Sequence, residues 1–228
     1  MDIANLLAHC DHTLLRPGCT WPEIRVLCDE GLAYGTASVC IPPCHVAEAA
    51  RYLHGRLPVC TVIGFPHGSA VSAVKAFESA DAVENGAQEL DMVVNLSAVK
   101  DARWTAVVDD IAAVRRACSG KTLKVIIETC LLTEEEKRCL CRIVSDSGAE
   151  FIKTSTGFST GGATRDDVVL LRQCCDAHVR VKAAGGIASL QDAQDFLTLG
   201  ADRLGTSRIV RLAAAAGFAA KGQAAPQS

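Results

Sequence analysis

The sequence has no basic stripe, no long apolar run, no linker and no Cys-x-x-Cys pair. Each absence removes a class of function. A formal net charge of −3, with lysines and arginines scattered along the chain, leaves no footprint for nucleic acid. The longest purely apolar runs are far too short to cross a bilayer. No charged-then-apolar leader opens the chain, which leads us to expect a cytoplasmic protein. Twelve cysteines invite disulfides or zinc. Yet Cys28, Cys60, Cys118 and Cys130 lie in apolar stretches, and Cys139-Leu140-Cys141 has a spacing of only one residue. Buried, reduced thiols acting as small hydrophobes fit better. His12, His45 and His67 show no ligand spacing either, so no metal is expected.

What is present is one core's worth of apolar sequence. The 228 residues are 49% hydrophobic and show no break in composition. Residues 1–218 are expected to form a single domain, with 219–228 a disordered tail. A short helix from Asp2 to Ala8 leads into a first strand within His9 to Leu15, where Asp11 and Thr13 share a face. Strands follow at Thr36–Ile41, Val59–Gly64, Glu89–Asn95, Leu123–Thr129, Phe151–Lys153, Val179–Ala183 and Arg203–Gly205. Helical stretches separate them. Thr20 caps a helix from Trp21 to Glu30, and Gly31 closes it. Thr133 with Glu136 forms a capping box at another. Eight strand-then-helix units of similar length predict a closed parallel barrel, the TIM (β/α)8 barrel, an α/β fold. Right-handed crossovers then bring the C-terminal ends of all strands to one face.

On that face the sequence places unusual residues. Lys153 ends an apolar strand, where an ammonium is costly unless it is paired or loses its proton. A neutral amine there is a nucleophile toward carbonyls. Lys182 repeats the pattern on the next strand, and two such lysines would repel, each lowering the other's pKa. Asp91 can balance the lysines and move protons. Glu128 is expected first as a counter-ion. Gly185-Gly186 and Gly205-Thr206-Ser207 each lie between a late strand and a helix, the usual place for a phosphate in this architecture. Cys40, at a strand end, is expected to line the pocket.

Six ordered stretches resemble the deoxyribose-phosphate aldolase family: Asp11-His12-Thr13-Leu14-Leu15, Ala37-Ser38-Val39-Cys40-Ile41, Glu89-Leu90-Asp91-Met92-Val93-Val94-Asn95, Lys124-Val125-Ile126-Ile127-Glu128-Thr129, Phe151 through Phe158, and Val181-Lys182-Ala183-Ala184-Gly185-Gly186. The resemblance runs from about residue 9 to about residue 210. It implies a metal-free class I aldolase that needs no cofactor and cleaves 2-deoxy-D-ribose 5-phosphate into D-glyceraldehyde 3-phosphate and acetaldehyde. By the same resemblance, Lys153 forms the Schiff base, and Asp91 and Lys182 relay protons. Gly157, Gly185, Gly186, Gly205 and Ser207 hold the phosphate, and Thr13, Cys40 and Thr156 join them at the substrate. The expected partner is this small phosphosugar, with neither nucleic acid nor membrane; a homo-oligomer is compatible with the sequence. Two departures stand out. Phe158 stands where some members carry a lysine, and the tail has no tyrosine, the only two being Tyr34 and Tyr52. The alternatives are a phosphosugar isomerase or epimerase on the same barrel, and a non-catalytic phosphosugar-binding module.

Overall fold

A computed structural model describes residues 2–220. The tail reading therefore falls, from residue 221 onward, outside the described residues. The chain opens with α1 (Ile3–Ala8), β1 (Cys10–Thr13) and α2 (Trp21–Tyr34). Next come β2 (Ser38–Ile41), α3 (Val46–Leu53), β3 (Val59–Ile63) and α4 (Ser72–Glu84). They are followed by β4 (Glu89–Val93), α5 (Leu96–Lys100), α6 (Trp104–Ala117) and β5 (Thr122–Ile126). The second half continues with α7 (Glu134–Asp146), β6 (Phe151–Lys153), α8 (Arg165–Cys174) and β7 (Arg180–Ala184). It ends with α9 (Leu190–Thr198), β8 (Arg203–Thr206) and α10 (Ile209–Ala215). The strands pair in parallel and in sequence order, and β1 closes the ring on β8, as the eight repeated units predict.

The period-2 alternation of these strands sorts side chains into two environments. Residues pointing outward, among them Val39, Leu90, Met92, Val125, Ile152, Val181 and Leu204, join the helices in one continuous apolar shell. That shell is the core. The inward-pointing residues include a small apolar cluster of Cys40, Cys60 and Val62, against which Leu15 and Phe65 pack, together with Phe151, Val93 and Ile126. Between them lie the buried charges Asp11, Glu89, Asp91, Lys124, Lys153 and Lys182.

Local chemistry explains most element ends. The Thr133–Glu136 capping box is present, and so are boxes at Thr20–Glu23 and Ser189–Asp192. Two expectations need correction. Gly31 does not close α2. The helix runs on to Tyr34, and Gly35 in the left-handed region ends it. Gly31 is there because of close packing: a Cβ at this position would stand 2.6 Å from Leu57 Cδ2 and 3.1 Å from Val39 Cγ1. The fifth strand stops at Ile126 rather than Thr129, because Glu128 turns into the left-handed region at φ 56°. The short helix α5 was missed altogether; the Asn95 side chain, which accepts from Ala98 N, starts it.

Gly31→Val should therefore destabilise the protein by about 1–3 kcal/mol, the usual cost of overpacking, even though a helix interior normally disfavours glycine. Urea denaturation would check this. An unchanged midpoint would show that Leu57 moves aside freely.

Candidate active site

The sheet register sets the site. Lys153 lies opposite Lys182, Asp91 opposite Lys124, Lys182 opposite Arg203, and Asp11 opposite Gly205. Paired residues in neighbouring parallel strands point to the same side, so these side chains meet inside the barrel. Asp91 is at the centre of the group. Its Oδ2 accepts from Lys153 Nζ at 2.7 Å and from Lys182 Nζ at 2.7 Å, while Oδ1 accepts from Lys124 Nζ at 2.8 Å. Lys182 also donates to Asp11 Oδ2 at 2.5 Å, and Lys124 to Glu89 at 2.6 Å. Arg203 donates to Asp11 and Glu89, and Ser38 Oγ donates to Asp11. Below them Phe151 closes the barrel under a layer of cations, with the Arg180 and Arg203 guanidinium carbons 4.0 and 5.4 Å from its ring centre.

Such a group of buried charges persists only through mutual compensation. Burial is the largest influence on Asp91 and would push its pKa up. Lys124, Lys153 and Lys182 outweigh it and hold the carboxyl well below its ordinary range. Asp11 is depressed in the same way, burial being overcome by Lys182, Lys124 and Arg203. For Lys182, burial works to strip the proton, yet Asp11 and Asp91 prevail and raise its pKa above the ordinary value. Lys124 behaves likewise, chiefly through Asp91. The sequence argument that neighbouring lysines lower one another thus fails for Lys182: its two carboxylates override the repulsion.

Above this layer opens a cleft of about 420 Å³. It brings together Thr13, Lys153, Thr156, Gly157, Gly185, Gly186, Gly205 and Ser207 from the sequence analysis. Lys153, only 3% exposed, is the one member of the ionic group that lines the cleft. Asp91 and Lys182 are completely buried beneath it. Gly205 permits this layering, since a Cβ there would stand 2.9 Å from Ala184 Cβ and 3.1 Å from Lys182 Cε.

Two expected residues are placed differently. Cys40 does not line the cleft. It is fully buried beside Cys60, whose thiol reaches Asp91 at 3.2 Å. Glu128 is not a counter-ion, having no salt-bridge partner among the described residues. Its carboxylate accepts from Thr156 N at 3.2 Å and from Thr156 Oγ1 at 2.5 Å. These bonds hold the loop that follows Lys153, and they also compensate for the left-handed backbone at Glu128. Sequence reasoning overlooked Lys124, Glu89 and Arg203. A lysine between Leu123 and Val125 in an apolar strand was the available signal, since burial demands a partner. Arg16, Thr206 and Arg208 at the cleft rim were also overlooked. His67 is exposed, as a loop histidine should be.

The fold does gather possible metal donors that spacing alone did not reveal. Ligand atoms of Cys40, Cys60 and Asp91 lie within 4.8 Å of one another, as do those of Asp11, Cys60 and Glu89. Those carboxylates already accept from lysine and arginine, whose charges would repel a cation.

Comparison with known proteins places this geometry. Two solved structures superpose closely. An aldolase called QR15 has a TM-score of 0.89 at 38% identity, covering 92% of this chain and 95% of its own. Deoxyribose phosphate aldolase from Aeropyrum pernix, described as having a unique tetrameric structure, gives 0.86 at 33% identity, covering 92% and 90%. The molecule is thus a barrel aldolase, a lyase. The DeoC/LacD family aldolase model matches residues 7–220. A deoxyribose-phosphate aldolase from Streptococcus pyogenes (serotype M4) is 52% identical over 212 residues, 93% of this chain and 95% of the relative. One from Streptococcus agalactiae (serotype Ia) matches equally well. The chain belongs to the DeoC/LacD aldolase family, and the resemblance read from its motifs holds.

Two predictions follow from the ionic layer. Lys124→Met should cost about 3–5 kcal/mol of stability, the usual result of stranding a buried partner charge, measurable by urea denaturation. The layer should also resist pH. A carboxyl depressed on folding contributes stability above its unfolded pKa of about 4 and loses it as pH falls through the folded value. An amine raised on folding contributes fully below about 10.4 and loses that contribution as pH rises through its folded value. The contribution of Asp11, Asp91, Lys124 and Lys182 should stay constant between about pH 5 and 9, falling below about pH 4 for the carboxyls and above about 10.4 for the amines. Urea midpoints of wild type and Asp11→Asn, compared across that range, would test it; a difference that changes between pH 6 and 8 would contradict it.

Proposed function

We propose that the chain cleaves 2-deoxy-D-ribose 5-phosphate reversibly, giving D-glyceraldehyde 3-phosphate and acetaldehyde through a Schiff base on Lys153. The observation that carries this reading is the single amine at the cleft floor, sharing Asp91 Oδ2 with Lys182. Charge counting supports it. Asp11, Glu89 and Asp91 face Lys124, Lys153, Lys182 and Arg203. With Lys153 as a free amine, the buried charges balance one for one.

In this mechanism Lys153 Nζ adds to the C1 aldehyde, and the carbinolamine loses water to give an iminium. Lys182, kept protonated by Asp11 and Asp91, supplies the proton that lets the oxygen leave. The iminium withdraws electrons, so removal of the C3 hydroxyl proton, through a water held by Asp91, breaks the C2–C3 bond. The released aldehyde carries the phosphate. The two remaining carbons stay on Lys153 as an enamine, which is protonated and hydrolysed to acetaldehyde. Asp91 Oδ2 links both amines, giving a two-bond route for the proton. The iminium supplies the electron sink, so the reaction as proposed needs no cofactor and no metal.

We place the catalytic unit at residues 1–218 and the protein in the cytoplasm, consistent with sugar-phosphate catabolism. No helix among the described residues is long and apolar enough to cross a membrane. A homo-oligomer is also proposed. The tetrameric Aeropyrum relative supports it, as do Val71, Val74, Phe77 and Val108, exposed on and beside the packed helices α4 and α6.

Borohydride reduction in the presence of acetaldehyde tests the mechanism. An ethyl group should be found on Lys153 alone, and an isomerase working through an enediol would trap nothing there. Lys153→Ala and Lys153→Arg should both lose turnover, because guanidinium stays protonated and cannot attack. Asp91→Asn should slow turnover by about two to four orders of magnitude, the usual contribution of a positioned acid–base group. Circular dichroism on each variant separates lost chemistry from lost fold. Substantial turnover in either Lys153 variant would sink the Schiff-base role.

A further inference from the structure

The family resemblance leaves a question about charge. Phe158 stands where some members carry a lysine, and it packs edge-on against Phe65, with ring centres 5.2 Å apart at 84°. This aromatic wall offers nothing to a phosphate dianion. Gly185, Gly186 and Ser207 carry no charge themselves.

The cleft nevertheless favours anions. None of its lining residues is a carboxylate, and beyond Lys153 on the floor it contains two cations, Arg16 and Arg208. They are not equivalent. Arg16 is tied to Glu23 in a surface ion pair, which offsets its charge. Arg208 has no carboxylate within salt-bridge distance among the described residues. It directly follows Ser207, and its backbone N donates to Thr206 Oγ1 at 3.1 Å, fixing the turn that carries it. Both arginines also border a second, outer cleft of about 750 Å³, so they stand where the catalytic cleft opens outward.

We propose that Arg208, assisted by Arg16, supplies the cationic contact that selects a phosphorylated substrate over its unphosphorylated counterpart in this chain. The inference rests on the aldolase reading above and adds a specificity-determining residue to it. A guanidinium presents paired donors that match two phosphate oxygens at once, which an ammonium cannot do. The charge thus comes from the loop after β8 instead of from the loop after β6.

The test compares 2-deoxyribose 5-phosphate with 2-deoxyribose in wild type, Arg208→Ala, Arg208→Lys and Arg16→Ala. Arg208→Ala should lower the preference for the phosphorylated substrate, as the ratio of kcat/KM values, by about 10- to 100-fold. The loss should appear mainly in KM for the phosphorylated substrate, and inhibition by inorganic phosphate should weaken with it. Arg208→Lys should recover part of the ratio, and Arg16→Ala should lose less than Arg208→Ala. A preference unchanged in Arg208→Ala, or equal losses on both substrates, would overturn the proposal. Acetaldehyde trapping on Lys153 involves no phosphate, so a wild-type protein that fails to trap would count against the aldolase mechanism and leave the role of Arg208 to be judged from the phosphate ratio.

Discussion

The carboxylate of Asp91 is the point on which this barrel depends. It accepts hydrogen bonds from three lysines arriving on three other strands, and none of the four side chains is more than slightly exposed. A charge in that position has no water to solvate it, and so its partners must replace the water fully. Asp11 repeats the device with Lys182, Arg203 and Ser38. The two carboxylates share Lys182, which makes the layer a connected network instead of separate pairs. Its coupling explains why one lysine can be presented to the cleft while the others remain fixed.

A charged interior is tolerable because the fold is stabilised elsewhere. The apolar contacts lie between the outer face of the sheet and the helices, where the alternate residues of every strand join one shell. Buried ion pairs add little net stability compared with apolar residues of the same size. Their contribution here is to position and to hold charge, which a hydrophobic filling could not do. The small cluster of Cys40, Cys60 and Val62 shows the same division, its thiols packing as small hydrophobes while Cys60 touches Asp91.

The loops are tuned around this fixed layer. Glu128 spends a strained backbone conformation and a buried carboxylate on holding Thr156, and so orders the loop that leaves Lys153. Gly205 gives up a side chain so that Lys182 can pass close beneath it. Phe158 and Phe65 provide an apolar wall, while Arg16 and Arg208 bring charge to the rim. The proposed chemistry at the floor therefore rests on strand residues, and the proposed selection at the mouth on the loops that follow the strands.

The repeat of strand and helix, the capping residues and the lone lysine closing an apolar strand were all legible in the sequence, because each depends on interactions within a few residues. Eight such units permit one closed arrangement, and Thr133 with Glu136 names its own helix start. Lys153, Asp91 and Lys182 were legible too, as charges in strands that should be apolar. What local pattern could not supply was partnership across strands. Lys124 carried the same signal and was passed over, since only the register of β4 with β5 brings it to Asp91. Glu128 read as a counter-ion until the fold placed Thr156, not a cation, beside it. Gly31 read as a stop because its reason, the side chain of Leu57, lies in another element. Cys40 read as pocket-lining because a strand end does not by itself say how deep the cleft reaches. Sequence thus determined which residues carry charge and where strands begin. Tertiary structure alone decided which charges meet, because the energy of a buried charge belongs to its neighbours in space.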